Sequence, residues 1–169
     1  MSDGHADGRA AADTPGVIAP PPLIALAAVL LGVAADWLLP MDGLDSVLNW
    51  PVRIWLGGAL ILGGGALIWV GEQAFKRVGT NVKPWRPSLA LATAGIYAHL
   101  RNPMYLGAML LLAGIAVALA SDWLAILLVP TALLLHFGVV RREERYLEAK
   151  FGEDYRRYTA SVPRYGWKW

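Results

Sequence analysis

Two apolar runs, PMYLGAMLLLAGIAVALA (residues 103–120) and WLAILLVPTALLLHFGVV (residues 123–140), are joined only by Ser121-Asp122. As a helix, each run extends roughly 27 Å, which is close to the ~30 Å hydrocarbon core of a bilayer. Residues 23–39 and 54–71 form two more runs of similar length. Because these runs are apolar on every face, the sequence predicts an all-α integral membrane protein with about four transmembrane helices.

The composition agrees with a membrane protein and excludes several other classes. Hydrophobic residues make up 56% of the 169-residue chain, and charged residues make up 17%, against roughly 25% in soluble domains. The chain has no cysteine, which excludes disulfides, thiolate metal sites and cysteine nucleophiles. The net charge of +2 does not indicate a nucleic-acid partner, because cytoplasmic loops of membrane proteins carry such an excess.

The first two runs contain one charge and a group of glycines. Asp36 lies near the end of its run, where its carboxylate reaches the headgroup region at a reduced energetic cost. The pairs Gly57/Gly64 and Gly58/Gly65 are each seven residues apart, so each pair shares one face of a helix. This spacing predicts close packing against a neighbouring helix, rather than a phosphate-binding loop.

The fourth run contains two residues that are unusual in a membrane helix. Pro130 removes one helical hydrogen bond, so we expect a kink there. His136 stands alone among apolar residues, and we expect it to make a hydrogen bond within the helical bundle rather than to bind a metal.

The distribution of basic residues predicts the orientation. If the chain has four spans, Arg53 lies on one side of the membrane, and the other Lys and Arg residues lie on the opposite side together with both termini. The positive-inside rule therefore places both termini in the cytoplasm, and we expect a bacterial inner-membrane protein. Residues 1–22 are rich in Ala, Asp, Gly and Pro and lack a basic signal-peptide start, so we expect a disordered cytoplasmic tail before a single membrane domain, residues 23–169.

The first polar block, GIYAHLRNPMYLG, covers residues 95–107. Asn102 is a favourable N-cap and Pro103 a favourable first helical residue, so a helix begins here. Its free N–H groups attract an anion, and Arg101 strengthens that attraction. Tyr97 and Tyr105 offer flat faces for a base. The alternative is a capped helix whose arginine contacts lipid phosphate.

The second polar block covers residues 141–164. Helical spacing places Glu143, Leu147 and Phe151 on one face, Gly152 at a helix end, and Tyr155, Tyr158 and Val162 on a face of the next turns. One interpretation is a basic amphipathic tail on anionic lipid. The adjacent carboxylates of Glu143 and Glu144 gain nothing from anionic lipid, however, and indicate a cationic or amine partner. No histidine lies at ligand spacing from them, so we expect no metal site.

Taken in order, the motifs of both blocks resemble the isoprenylcysteine carboxyl methyltransferase and phospholipid methyltransferase group of membrane enzymes. The resemblance covers residues 79–164 and is carried by Gly79-Thr80-Asn81, Gly95-Ile96-Tyr97, Arg101 to Gly107, Glu143-Glu144, Leu147, Phe151-Gly152, Tyr155, Tyr158 and Val162-Pro163-Arg164.

This resemblance implies S-adenosylmethionine as the methyl donor, bound on the cytoplasmic side by residues 79–164. The implied donor-binding residues are Leu91, Ala92, Tyr97, Arg101, Asn102, Pro103, Tyr105 and Glu143. Leu91 and Ala92 correspond to a stretch that lines the pocket with its backbone. Glu143 corresponds to the donor-binding glutamate of the family.

The acceptor implied by the resemblance is a lipophilic small molecule or a lipid-modified substrate drawn from the membrane. Our first hypothesis is an isoprenylcysteine-like carboxylate, with Arg142 and Glu144 as catalytic residues able to serve either a carboxylate or an amine. Eukaryotic prenylcysteine enzymes, however, carry His in place of Asn102 and a substrate-binding Arg in place of Val139. The alternatives are N-methylation of a phospholipid or other lipid amine, and a non-enzymatic four-span membrane protein.

Overall fold

Helices provide the regular structure of this chain in a computed structural model that describes residues 13–166. No strand occurs in that range, so the predicted all-α class is confirmed. The elements are α1 (Pro21–Leu38), α2 (Gly43–Val47), α3 (Trp50–Arg77), a 3₁₀ turn (Gly95–Ala98), α4 (Pro103–Leu119), α5 (Asp122–Leu135), a π-helical turn (His136–Val140), α6 (Arg141–Phe151) and α7 (Glu153–Ser161).

Within residues 13–166, three helical stretches are long and apolar enough to cross a membrane. They are α1, α3 and the continuous stretch Asp122–Phe151, which comprises α5, the π-helical turn and α6. The fourth apolar helix, α4, has 17 residues. Helix α3 extends beyond the predicted run at both ends, and its 28 residues give a length of about 42 Å. The polar residues of its last turns therefore lie beyond the hydrocarbon core.

The close packing of α3 on α4 depends on glycines that meet glycines. A Cβ atom on Gly64 would lie 2.5 Å from the carbonyl oxygen of Gly107, and one on Gly57 would lie 2.7 Å from that of Gly114. The prediction for Gly57 and Gly64 is thus confirmed. The prediction for the second glycine pair, Gly58 and Gly65, is wrong, because no neighbouring atom lies within 4 Å of a Cβ at either position.

The tip of the α4–α5 hairpin joins three helices at the end of the bundle that holds α2. Asp36 accepts hydrogen bonds from the Ser121 hydroxyl and, at 3.3 Å, from the Trp123 backbone N–H. Asp122 accepts the backbone N–H groups of Gly43 and Leu44 at 2.7 and 2.9 Å. Asp36 is therefore bound by the neighbouring hairpin, which is a more specific environment than the headgroup region expected from the sequence.

The stretch that follows the hairpin changes its hydrogen-bonding pattern before it leaves the bundle. Regular α-helix continues through Pro130, and the departure from it is the π-helical turn His136–Val140. His136 has its partner in the C-terminal segment, where the Tyr165 hydroxyl lies 3.0 Å from Nδ1. Gly152, with a φ of +54°, separates α6 from α7, as predicted.

The polar connection between α3 and α4, residues 78–102, lies at the opposite end of the bundle from the hairpin tip. Helices α6 and α7 lie at the same end. The predicted tail, residues 1–22, extends beyond the described range. Its described part begins at residue 13 and contacts α6, and α1 already includes Pro21 and Pro22.

Candidate active site

A cavity of about 430 Å³ lies where the connection 78–102, α3, α4, α6 and α7 meet. Its volume falls within the 300–1,000 Å³ typical of small-molecule sites. The predicted donor-binding residues Leu91, Ala92, Tyr97, Arg101, Asn102, Tyr105 and Glu143 all contribute to its wall. Two predicted residues do not line it: Pro103, which is fully buried at the start of α4, and Arg142.

The first polar contact in the cavity wall joins the start of α4 to the start of α6. Tyr105 lies in the first turn of α4, and Glu143 lies in the first turn of α6. The Tyr105 hydroxyl donates a hydrogen bond of 2.7 Å to Oε2 of Glu143. No arginine or lysine within residues 13–166 forms an ion pair with Glu143, so its carboxyl group is held at the cavity wall by the Tyr105 hydroxyl and by no cation of that range.

Glu144 has a different environment, because two arginines bind it. Arg164 donates from Nε and Nη2 at 2.6–3.0 Å in a bidentate arrangement, and Nη1 of Arg101 lies 3.3 Å from Oε1. Such a pair is stronger than a single ionic contact and fixes the geometry of both partners. Glu144 therefore holds Arg101 in place against the cavity.

Arg101 has an unsatisfied donor at this position. Its Nε is buried and has no hydrogen-bond partner among the described residues. Leaving a buried donor unpaired costs about 1–3 kcal/mol, more for a charged group. Because Arg101 also lines the cavity, its positive charge is available to an anionic ligand there.

The start of α4 differs from the prediction for Asn102. The residue occupies the N-cap position, but its side chain makes no capping hydrogen bond. Instead, Nδ2 donates to the carbonyl oxygen of Arg164 at 3.4 Å. The predicted side-chain cap is therefore wrong, because the C-terminal segment engages the amide and leaves the first N–H groups of α4 without that cap.

Tyrosines from α7 form the aromatic part of the wall. Tyr155 and Tyr158 are buried with Val162, as the helical spacing predicted, and the Tyr158 hydroxyl donates to the carbonyl oxygen of Tyr97 at 2.7 Å. Tyr97 also packs edge-on against Phe75, with ring centroids 5.1 Å apart. Burial raises the pKa of Tyr97, Tyr155 and Tyr158 well above the usual range for tyrosine. These rings are consequently uncharged at physiological pH.

The connection between α3 and α4 is held in shape by its own side chains. The Thr80 hydroxyl accepts the backbone N–H groups of Leu89 and Ala90 at 2.9 and 3.2 Å, and Asn81 donates to the carbonyl oxygen of Pro87 at 2.7 Å. These bonds position the following residues, Leu91 and Ala92, against the cavity. They also explain the structural role of the Thr80-Asn81 motif.

The cavity continues from its polar end into the helical bundle. Leu111 lines it, and this residue lies about 14 Å along α4 from Asn102. Ile68 of α3 and Leu135 of α5 also contribute to this part. The cavity thus has an apolar end between segments that are able to cross a membrane.

A second cavity, of about 300 Å³, lies between α4 and α5. Tyr105 and Leu135 line both cavities and therefore form a shared wall. His136 and Tyr165 lie on the far side of that wall. Burial raises the pKa of Tyr165 to about 12, so its hydroxyl stays protonated next to His136.

Both side chains predicted to be catalytic already have protein partners. Glu144 binds Arg101 and Arg164, and Arg142 donates from Nη1 to the carbonyl oxygen of Gly16 at 2.8 Å. Sequence reasoning did not include Arg164, Tyr155 or Tyr158 among the site residues, although all three occur in the motifs that carried the resemblance. Their position after α6 in the chain gave no sign that α7 folds back onto the connection 78–102.

Comparison with known proteins identifies the family of this chain. The model of the family described as phospholipid methyltransferase matches residues 52–154. The chain belongs to the phospholipid methyltransferase family. The match begins in α3 and ends in α7, so it includes most of the cavity wall, whereas α1 and the residues before it lie outside the match.

One similar sequence within this comparison is an uncharacterised protein of Haemophilus influenzae. It is 38% identical over 64 residues, which are 37% of this chain and 98% of that protein. No solved structure matches the chain significantly. Membership of the phospholipid methyltransferase family suggests a membrane methyltransferase activity.

Proposed function

We propose that the protein transfers a methyl group from S-adenosylmethionine to a lipophilic acceptor in the membrane. The observation that carries this proposal is a single cavity with two kinds of wall. One end presents Arg101 and the carboxyl group of Glu143, and the other end lies between apolar helices. A charged, water-soluble donor suits the first end, and a lipid tail suits the second.

The residues at the polar end fit the groups of the donor. Arg101, whose Nε lacks a partner, and the uncapped start of α4 would hold the donor's carboxylate. The uncharged rings of Tyr97 and Tyr155 offer faces for its adenine. Glu143 would attract the donor's positive charge. When bound, the donor would supply a methyl group on a sulfonium: the acceptor's lone pair would bond to the methyl carbon in line as the carbon–sulfur bond breaks, and the neutral thioether would leave as product.

The chain itself contributes alignment and exclusion of water. Displacement of this kind needs the reacting atoms held about 3–3.5 Å apart and in line. The bidentate pair of Glu144 and Arg164 keeps Arg101 fixed, and the hydrogen bond to Tyr105 keeps Glu143 fixed. The apolar wall around Leu111 and Leu135 keeps water from the acceptor's side.

For the acceptor, the charges on the wall favour a lipid amine. The nearby arginines, Arg101 and Arg164, are neutralised in part by Glu144, whereas Glu143 has no cationic partner within residues 13–166. An amine must lose its proton before it attacks. The carboxyl group of Glu143 would take that proton; it is bound by Tyr105, which lies on the wall shared with the second cavity. We propose that the acceptor enters from the bilayer through that second cavity, between α4 and α5.

The test uses purified full-length protein in detergent with methyl-labelled S-adenosylmethionine and a bacterial lipid extract. We expect saturable donor binding and label in the lipid fraction that resists mild alkali, because an N-methyl group is stable to base. Label released by alkali as methanol would indicate a methyl ester and restore the isoprenylcysteine-like carboxylate. Absence of donor binding would refute the enzymatic function and favour the non-enzymatic alternative.

The orientation proposed with this function places both termini and the connection 78–102 in the cytoplasm of a bacterium, at the inner membrane. The polar end of the cavity lies at that same end of the bundle, where a water-soluble donor is available. A periplasm-active reporter fused after Trp169 should give no signal. A strong signal would reverse the orientation and the proposed route of the donor.

A further inference from the structure

Residues 13–20 form an irregular segment, here called the strap, that is bound along α6. The backbone N–H of Ile18 donates to the carbonyl oxygen of Gly138 at 3.2 Å, and Arg142 donates to that of Gly16 at 2.8 Å. Asp13 accepts a hydrogen bond of 2.7 Å from the Tyr146 hydroxyl. Its carboxylate also pairs with the ammonium of Lys150 at 2.7 Å.

These contacts follow one stripe of the helix. Arg142, Tyr146 and Lys150 are four residues apart, so they share a face of α6, and Gly138 lies one turn earlier in the π-helical turn. The strap runs in the opposite direction, with residue 18 at the start of the stripe and residue 13 at its end. Four successive contacts in register are more specific than expected for a solvated tail.

The strap is also part of the cavity. Pro15 contributes to the cavity wall, as do Tyr146 and Leu147 of α6. The Tyr146 hydroxyl that donates to Asp13 accepts the backbone N–H of Ser88 at 3.1 Å. One tyrosine therefore joins the strap to the connection that shapes the donor's end of the cavity.

The position of the strap identifies which route it covers. Helix α6 begins with five consecutive charged residues, 141–145, which belong in water rather than in hydrocarbon. The strap lies along this helix, and its Pro15 covers part of the cavity on the side that the proposed orientation places in water. A lipid acceptor does not use that side, whereas a water-soluble donor and its demethylated product must cross it in every catalytic cycle.

The contacts of the strap are of a kind that can be released. Asp13 and Lys150 keep 57% and 28% of their side-chain surface exposed, so their ion pair is weak. Ile18 packs on Gly138, where a Cβ atom would lie 2.7 Å from Cγ1 of Ile18. This contact is therefore possible only because residue 138 has no side chain. The strap is held by many small contacts and by no buried charge.

We propose that the strap is a gate, which must leave α6 to let S-adenosylmethionine enter and its product leave. This inference rests on the proposed function. Arg142, taken from the sequence as catalytic, acts in this account as an anchor of the gate. Because α1 and the strap lie outside the family match, the gate is a property of this chain's own N-terminal segment.

The test locks the gate with a disulfide. The chain has no cysteine of its own. A Cβ at Gly138 would lie 3.7 Å from Cγ2 of Ile18, which places the Cβ atoms of positions 18 and 138 about 4 Å apart, the usual separation in a disulfide. The double variant Ile18→Cys/Gly138→Cys thus permits a locked state when oxidised and a free state when reduced.

The measurement is the dissociation of labelled S-adenosylmethionine from the full-length variant in detergent. The variant is loaded while reduced, oxidised, and then chased with excess unlabelled donor. We expect oxidation to slow dissociation by at least about tenfold and reduction to restore it. For each single-cysteine variant, the rate after the same oxidant treatment should equal the rate of that same variant under reducing conditions. An unchanged rate in the oxidised pair, or failure of the disulfide to form, overturns the proposal.

A second pair of variants tests the gate without a cross-link. Asp13→Asn removes the ion pair to Lys150 and should speed donor exchange by roughly two- to fivefold. Asp154→Asn is the matched control, because it removes an exposed ion pair to Arg157 on α7, and should leave the rate unchanged. Equal rates in the two variants would contradict the gate. Wild-type protein that binds no donor would instead refute the proposed function itself.

Discussion

The starts of α3 and α4 are built from the same residue types but have different surroundings. Each has an asparagine at the N-cap position, a proline in the first turn and an arginine nearby: Asn49 and Arg53 for α3, Asn102 and Arg101 for α4. Both arginines are buried, with 14% and 13% of the side chain exposed, and each contacts a carboxylate. Neither Nε has a hydrogen-bond partner among the described residues.

Two differences indicate that the start of α3 is structural and that the start of α4 belongs to a candidate site. The Asn49 side chain caps α3 by accepting the N–H of Val52 at 3.1 Å, whereas Asn102 does not cap α4. Arg101 lines a cavity of about 430 Å³, and Arg53 lines neither of the two cavities. An unpaired buried donor is therefore informative here only together with a space that a ligand can occupy.

The largest expected effect on donor affinity is the difference between alanine variants of the two arginines. Arg101→Ala removes a charge-assisted contact to the donor and should weaken its binding by roughly 10- to 150-fold, since such contacts contribute about 1.5–3 kcal/mol. Arg53→Ala removes an equally buried arginine at the opposite end and should leave donor affinity unchanged. Equilibrium binding of labelled S-adenosylmethionine in detergent measures both. Equal losses in the two variants would mean that Arg101 acts only through stability.

A second prediction compares two glutamates of α6. Glu143→Gln keeps an acceptor for the Tyr105 hydroxyl but removes the negative charge from the cavity, so donor affinity should fall about tenfold. Glu148→Gln makes the same change on an exposed side chain of the same helix, whose partner Arg156 lies 3.8 Å away. The same binding assay should show no change for Glu148→Gln. Normal affinity in Glu143→Gln would remove Glu143 from the site.

The third prediction concerns the two N-caps and uses thermal unfolding in detergent. Asn49→Ala removes a side-chain cap and should cost about 1 kcal/mol of stability. Asn102→Ala removes only a long hydrogen bond to Arg164 and should lower stability by less. If Asn102→Ala proved the more destabilising, Asn102 would be a cap in solution and the start of α4 would resemble that of α3.

The smallest effect is expected for a charge placed at each cap. Asn102→Asp puts a negative charge where the donor's carboxylate is proposed to bind and should weaken donor affinity by roughly two- to fivefold. Asn49→Asp should leave affinity unchanged and preserve stability, because Asp is an equally good cap. Tighter or unchanged donor binding in Asn102→Asp would contradict an anion site at the start of α4.

Much of this fold could be predicted from the chain because it depends on local patterns. Long apolar runs predict helices, and glycines seven residues apart predict a packing face. The pattern does not decide which face has a neighbour, so Gly57 and Gly64 meet α4, while a Cβ at Gly58 or Gly65, with the same spacing, would have no neighbouring atom within 4 Å.

The parts of the site that were not predicted depend on contacts between distant parts of the chain. Asn102 has the sequence context of an N-cap, but its side chain donates a hydrogen bond to the carbonyl oxygen of Arg164, in the segment after α7. Arg142 carries a positive charge that suits a catalytic role, but its side chain donates a hydrogen bond to the carbonyl oxygen of Gly16, in the segment before α1. Arg164 comes to Glu144 only because α7 folds back. No local spacing reports such arrangements, and the resemblance supplied the site residues that pattern alone left open.

The π-helical turn His136–Val140 also sets the rotation of α6 about its own helix axis, because α6 follows it directly. A π-helical turn accommodates one extra residue, and one residue of helix corresponds to about 100° of rotation and 1.5 Å of rise. Deleting a single residue within it would turn the face of α6 that carries Glu143 away from Tyr105, and Tyr146 away from Asp13. The turn therefore sets the direction in which α6 presents Glu143 to the cavity and Tyr146 to residues 13–20.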